Sequence, residues 1–130
     1  MKYNHKLRRT AISSVIATVM LGSISSSALA EVKFGALYPL SGGLALLGEE
    51  SYRGLELAVD QINNNGGVQG ETVVLETGDA VDNNQAIGEA RRLISQEDVK
   101  AIFGTFSSAR AIAASQVAQL SQVPYFELGA

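Results

Sequence analysis

The stretch TVVLETGDAVDNNQAIGEARRLISQEDVKAIF, residues 72–103, decides the fold. Thr72 to Thr77 reads as a strand. Asp82 or Asn83 then caps a helix whose apolar residues, Ala86, Ile87, Ala90, Leu93 and Ile94, recur at helical spacing. Val99 to Phe103 follows as another strand. A strand, a helix and a strand joined by links of a few residues form a right-handed crossover, and the two strands are then parallel.

The same alternation continues in both directions. Upstream, Val32 to Tyr38 (VKFGALY) is a strand closed by Pro39 and a loop running to Gly48. Glu49 to Asn65 shows Tyr52, Leu55, Ala58, Val59 and Ile62 at helical spacing, with acids at its start where the helix dipole favours them. Asn63-Asn64-Asn65-Gly66-Gly67 stops that helix, because Asn and Gly tolerate the left-handed conformation of a helix end. Downstream, Ser107 or Ser108 caps a third helix running to about Ser121, with Ile112, Ser115, Ala118 and Gln119 on one face. Val123 to Leu128 is the fourth strand. The pattern predicts a three-layer α/β fold, a parallel sheet with helices on both faces. Ligands of such sheets bind beyond the carboxyl ends of the strands, at helix N-termini. That singles out Ser41–Gly48, Gly78–Asn83, Gly104–Ser108 and Gly129-Ala130. No helix follows the fourth strand to cover its side of the sheet, so residues 31–130 are expected to be the front part of a longer protein.

Charge divides the chain in two. All 130 residues carry a net charge of −3, but Lys2, Lys6, Arg8 and Arg9 precede residue 31 with no acid among them. Residues 31–130 therefore hold six bases against 13 acids, a net of −7. A body this acidic argues against a nucleic-acid partner. The absence of Cys removes disulfides, thiolate metal sites and cysteine nucleophiles together.

Residues 1–30 read as an export signal. The basic stretch Lys2 to Arg9 leads into a weakly apolar run, Ala11 to Ile24, and then into Ser25 to Ala30. Ala28 and Ala30 supply the small residues that a signal peptidase needs, which places cleavage after Ala30. A membrane anchor is the competing reading, but the run is short and interrupted by Ser13, Ser14 and Ser23. Arg8-Arg9 is followed by Thr10, Ala11 and Ile12 where a twin-arginine signal prefers Phe and Leu, so the general export route is favoured. No Cys follows the cut to take a lipid. The mature chain is expected in a bacterial periplasm, with no membrane insertion after cleavage.

Enzymatic readings fail on residue types. Gly43-x-x-x-x-Gly48 has the spacing of a phosphate loop, yet Glu49-Glu50 stand where Lys and Ser or Thr are required and would repel phosphates. Ser107-Ser108 lacks a nucleophile elbow, and residues 31–130 contain no His to act as a base. Asp79 and Asp82 are too few for a metal claim and read as a turn residue and a helix cap. Arg110 reads either as a carboxylate clamp or as an exposed surface charge. No catalytic residue, cofactor or metal is assigned. What remains is binding: Ser107, Ser108 and the free backbone N–H groups behind them would receive a small anionic group such as an amino-acid carboxylate. A carboxylate at a helix start gains about 0.3–2 kcal/mol, and each hydroxyl contact about 0.5–1.5 kcal/mol. Micromolar affinity needs about 8 kcal/mol, so such a half-site requires a second wall.

The run Lys33 to Gly42, then Gly48-Glu49 and Arg53 to Val59, resembles the start of type I periplasmic binding proteins, in the leucine/isoleucine/valine-binding family of ABC transporters. Asn63 to Gly70 is similar to that family's Ile-Asn-x-x-Gly-Gly-(Ile/Val)-x-Gly signature. Asp79, Gln85-Ala86, Val99 to Gly104, Ser107-Ser108 and Val123-Pro124 continue the match across residues 31–130. The resemblance implies a two-lobed protein that closes on a ligand and docks on an inner-membrane ABC permease. It implies that the Ser108 hydroxyl and N–H meet the ligand carboxylate and that the Gly129 carbonyl meets its ammonium. Ser107, Ala130 and Leu47 join them as candidate ligand-binding residues. Leu47 stands where members covering an aliphatic side chain often carry an aromatic, and Val81 and Ser107 stand where some members have a cysteine pair. The expectation is a non-enzymatic receptor delivering an amino acid, with branched-chain side chains favoured. The alternatives are an amide, urea or aromatic acid as the ligand, a secreted α/β hydrolase fragment, or the ligand-sensing ectodomain of a membrane receptor.

Overall fold

A computed structural model describes residues 30–130; the expectations for the export signal and its cleavage lie outside these residues. The chain runs β1 (Glu31–Tyr38), a 3₁₀ turn (Gly42–Leu44), α1 (Ala45–Asn64), β2 (Thr72–Asp79), α2 (Asn83–Ser95), β3 (Ile102–Gly104), α3 (Ser108–Leu120) and β4 (Tyr125–Phe126). The strands form one sheet in the order β2-β1-β3-β4, and every neighbouring pair is parallel. Tyr38 is in register with Asp79, Leu37 with Gly104, and Phe103 with Phe126, so all four carboxyl ends reach the same edge. No helix among the described residues is long and apolar enough to cross a membrane.

Successive residues of a strand face opposite sides of the sheet, and β1 shows both. Leu37 packs with Ala86, Ala90 and Leu93 of α2, Ile102 of β3 and Ala114 of α3 in the main core. Its neighbour Tyr38 meets Tyr52 of α1 edge to face on the other side, with ring centroids 6.5 Å apart. The helices therefore cover both faces, as the alternation predicts. An aromatic row, Phe34, Phe103 and Phe126, crosses the sheet at centroid distances of 5.8 and 5.1 Å, and Phe126 at its end is 48% exposed.

Several boundaries and faces differ from the sequence reading. The loop expected over Ser41–Gly48 is mostly helical, because α1 begins at Ala45 behind the 3₁₀ turn. Glu49 and Glu50 consequently fall beyond the first turn, which holds no acid, and Glu49 only approaches Arg53 at 3.8 Å on the surface. The helix starts early because it docks on the end of β1 through Gly48, where a Cβ would lie 1.9 Å from the Pro39 carbonyl oxygen. Its sheet-facing line is Gly48, Tyr52, Leu55, Val59 and Asn63, whereas Ala58 and Ile62 are exposed. Asn63 belongs to that line because its side-chain amide accepts from the Val73 N–H at 2.8 Å and donates to the Val73 carbonyl at 2.9 Å. In α3 the buried residues are Ala111, Ala114 and Ala118, while Ile112 is 63% exposed and Gln119 is exposed. Alanine on both helices lets α2 and α3 approach closely, and that packing overrides the larger apolar side chain. The strands β3 and β4 are shorter than expected, and Val99 is buried in the core ahead of β3.

Candidate functional site

Parallel strands bring four segments to one edge: the β1–α1 connection, the β2–α2 loop, Thr105–Ser107 between β3 and α3, and Glu127–Ala130 after β4. Asp79, the last residue of β2, ties down the first of these. Its carboxylate accepts from the Leu40 N–H at 2.8 Å, the Ser41 N–H at 3.3 Å and the Ser41 hydroxyl. It is thus a strand-end anchor rather than a turn residue. Asp82 caps α2, accepting from the Gln85 N–H at 2.8 Å. No group of three or more His, Cys, Asp or Glu residues that could hold a metal ion gathers among the described residues.

At α3 the backbone of Ser107 is extended, as an N-cap requires, and its carbonyl accepts from the Ala111 N–H at 2.8 Å. Its hydroxyl makes no capping bond. That hydroxyl and the first-turn N–H groups of Ser108, Ala109 and Arg110 are donors without a helical partner. Ser107 is half-buried and Ser108 exposed. Arg110 is not the freely exposed charge that was one sequence reading: it is partly buried, and its Nη1 is shielded and without a partner among the described residues. With Asp82, Asn83, Asn84, Ser107 and Ala109 it lines an open cavity of about 480 Å³ between the starts of α2 and α3.

Gly129 is brought against the same loop. A Cβ on Gly129 would lie 2.3 Å from the Phe106 ring, so a side chain there would have to displace the ring. Phe106 itself has φ of 59°, in the left-handed region that bulky residues rarely adopt. Leu47 sits on a different element, in the first turn of α1, and is 43% exposed; Ala130 is exposed past the end of β4. The structure thus joins Gly129 to the loop leading into Ser107 and Ser108, whereas Leu47 lies on α1.

Sequence reasoning missed the residues that hold this corner together. The Glu127 carboxylate accepts from the Thr105 N–H, from the Phe106 N–H at 3.0 Å, from the Gly129 N–H at 3.2 Å and from the Tyr125 hydroxyl at 3.2 Å. Thr105 is fully buried, its hydroxyl 3.2 Å from Glu127 Oε2 and 3.1 Å from the Ser107 carbonyl. The Tyr38 hydroxyl is buried with no partner among the described residues. Burial first and the Glu127 charge second push the Tyr38 phenol up to about 12. The Tyr125 phenol is raised as well, mainly by burial, with the charge of Glu127 adding to it. An acid at the end of an otherwise apolar strand was the available signal for Glu127, since a carboxylate at such a place needs donors.

The corner offers hydroxyl and N–H donors at the start of α3, with Gly129 lying against the loop before them. Such a set can bind a small polar molecule. The family model described as periplasmic binding protein matches residues 31–130. The Leu/Ile/Val-binding protein homolog 8 of Brucella abortus (strain 2308) is 65% identical over 125 residues, which cover 96% of this chain and 31% of that protein. The homolog 7 protein of Brucella suis biovar 1 is 63% identical over 124 residues, again 31% of its length. The chain therefore spans about a third of the length of the curated relatives it matches. Among solved structures, an ABC transporter substrate-binding protein from Sphaerobacter thermophilus aligns with a TM-score of 0.71 at 32% identity, covering 77% of this chain and 27% of that one. The branched-chain amino acid transporter substrate binding protein LivJ from Streptococcus pneumoniae, in complex with isoleucine, aligns with a TM-score of 0.69 at 29% identity, covering 76% of this chain and 28% of that one.

Proposed function

The chain belongs to the periplasmic binding protein family, and from that premise we propose that it is the front part of the first lobe of a non-enzymatic periplasmic receptor. The receptor binds an amino acid, with branched-chain side chains favoured, and delivers it to an inner-membrane ABC permease for import. Residues 1–30 serve as its signal peptide, cleaved after Ala30. The ligand carboxylate rests on the hydroxyls of Ser107 and Ser108 and the first-turn N–H groups of α3. The ammonium meets the Gly129 carbonyl, and Leu47 and Ala130 flank the ligand. A second lobe closes over it and supplies the remaining affinity.

One observation carries this reading: an α3 N-terminus whose capping hydroxyl is uncommitted and against which Gly129 is held through Phe106. Donors for an anion and an acceptor for a cation then sit at one corner, which suits a zwitterion. The relatives' names support the ligand class. Calorimetry of the full-length protein against leucine, isoleucine, valine, small amides, urea and aromatic acids tests the proposal. Heat of binding for a branched-chain amino acid is the expected result, and silence toward every amino acid overturns it.

A further inference from the structure

The Glu127 carboxylate lies between the two halves of the proposed site. Its Oε1 accepts from both the Phe106 N–H, at 3.0 Å, and the Gly129 N–H, at 3.2 Å. Phe106 precedes Ser107, and Gly129 carries the carbonyl assigned to the ammonium. A single oxygen atom therefore registers the start of α3 against the chain leaving β4. Oε2 holds the other side of the same loop through the Thr105 N–H and is itself braced by the Tyr125 hydroxyl at 3.2 Å. These bonds occupy the carboxylate's lone pairs, so Glu127 acts on a ligand through the groups it holds rather than by touching it.

We infer that Glu127 is a positioning residue that sets the spacing between the anion-binding and cation-binding halves of the site. The inference rests on the zwitterion reading above and extends it: the clamp selects ligands by the separation of their charged ends. Two consequences follow from the bonding pattern. Glutamine at this position keeps the length but has one acceptor oxygen, and whichever way the amide turns its NH₂ faces a backbone N–H donor. Aspartate keeps the charge and withdraws it by one methylene.

The test compares wild type, Glu127→Gln and Glu127→Asp in the full-length protein. Leucine and β-leucine, its isomer with the amine one carbon further from the carboxylate, are titrated by calorimetry. Glu127→Gln is expected to lower leucine affinity by about tenfold or more and to narrow the preference for leucine over β-leucine, as loss of charge-assisted bonds predicts. Glu127→Asp is expected to fall between the other two. Equal loss for both ligands marks a merely structural role and overturns the inference, as does an unchanged preference. Amide hydrogen exchange in the ligand-free protein supplies a second measurement. The Phe106 and Gly129 amides are expected to exchange faster in either variant while the Leu37 and Ala114 amides do not, and unchanged rates at the first pair overturn the clamp. Failure of wild type to bind any amino acid defeats the proposed function, whereas the exchange measurement still decides the clamp. Should Glu127→Gln not fold, Glu127→Asp carries both measurements.

Discussion

Tyr38 ends β1, 1% exposed and with its hydroxyl unpaired among the described residues. A buried donor without a partner costs about 1–3 kcal/mol, so Tyr38→Phe is expected to leave stability unchanged or raise it, as chemical denaturation will show. The same group predicts a pH dependence. Its ordinary value is 10.0 and the fold raises it to about 12, so between these values the native chain holds a proton that the unfolded chain has lost. Stability is then complete below pH 10 and falls as pH rises toward 12. Tyr38→Phe is expected to flatten part of that fall in melting temperature, with Tyr125 accounting for another part. Ser108 carries the residue-scale prediction for binding: Ser108→Ala in the full-length protein is expected to weaken leucine binding by about 1–3 kcal/mol through lost charge-assisted contacts. Unchanged affinity by calorimetry would remove Ser108 from the site. Ser107 and Ser108 were legible in the sequence because serine before a helical run has a local meaning. Glu127 was not, because its partners at Thr105, Phe106 and Gly129 come together only when β4 pairs with β3.

At the scale of elements, the helices show where pattern suffices and where it misleads. In α2 the apolar spacing picks out the buried Ala86, Ala90 and Leu93 together with the partly buried Ile87 and Ile94, and of the two candidate caps the structure selects Asp82. In α3 the apolar residues are spread around the helix, and the face read through Ile112 shares only Ala118 with the buried line of Ala111, Ala114 and Ala118. Two substitutions separate these faces. Ala114→Leu puts a larger side chain into the fully buried contact and is expected to cost about 1–3 kcal/mol. Ile112→Ser, on the exposed side, is expected to stay within about 0.5 kcal/mol. Thermal melts of the pair check both, and the reverse order would restore the face read from sequence. At the end of α1, Asn63 works as a clamp on β2 besides helping to stop the helix. Asn63→Leu leaves the Val73 N–H and carbonyl unpaired and is expected to cost about 1–3 kcal/mol.

For the whole molecule, the parallel sheet explains why the proposed binding corner can form: every strand delivers its carboxyl end, and every helix its N-terminus, to one edge. On the proposed two-lobed reading, residues 31–130 alone supply one wall, and their affinity for leucine is expected to be no better than about millimolar. A nuclear magnetic resonance titration checks this, and micromolar binding by that segment would remove the need for a second wall. The sequence by itself determined the alternation of strands and helices, the parallel sheet that follows from short crossovers, and the serine pair at the head of α3. These depend on periodicity, link length and capping, which act between residues close in the chain. Only the tertiary structure decided that α1 docks through Gly48, that α3 buries alanine, and that Glu127 fastens Gly129 to the loop before Ser107. Those outcomes depend on distances between segments far apart in sequence, which no local pattern encodes until the strands have paired.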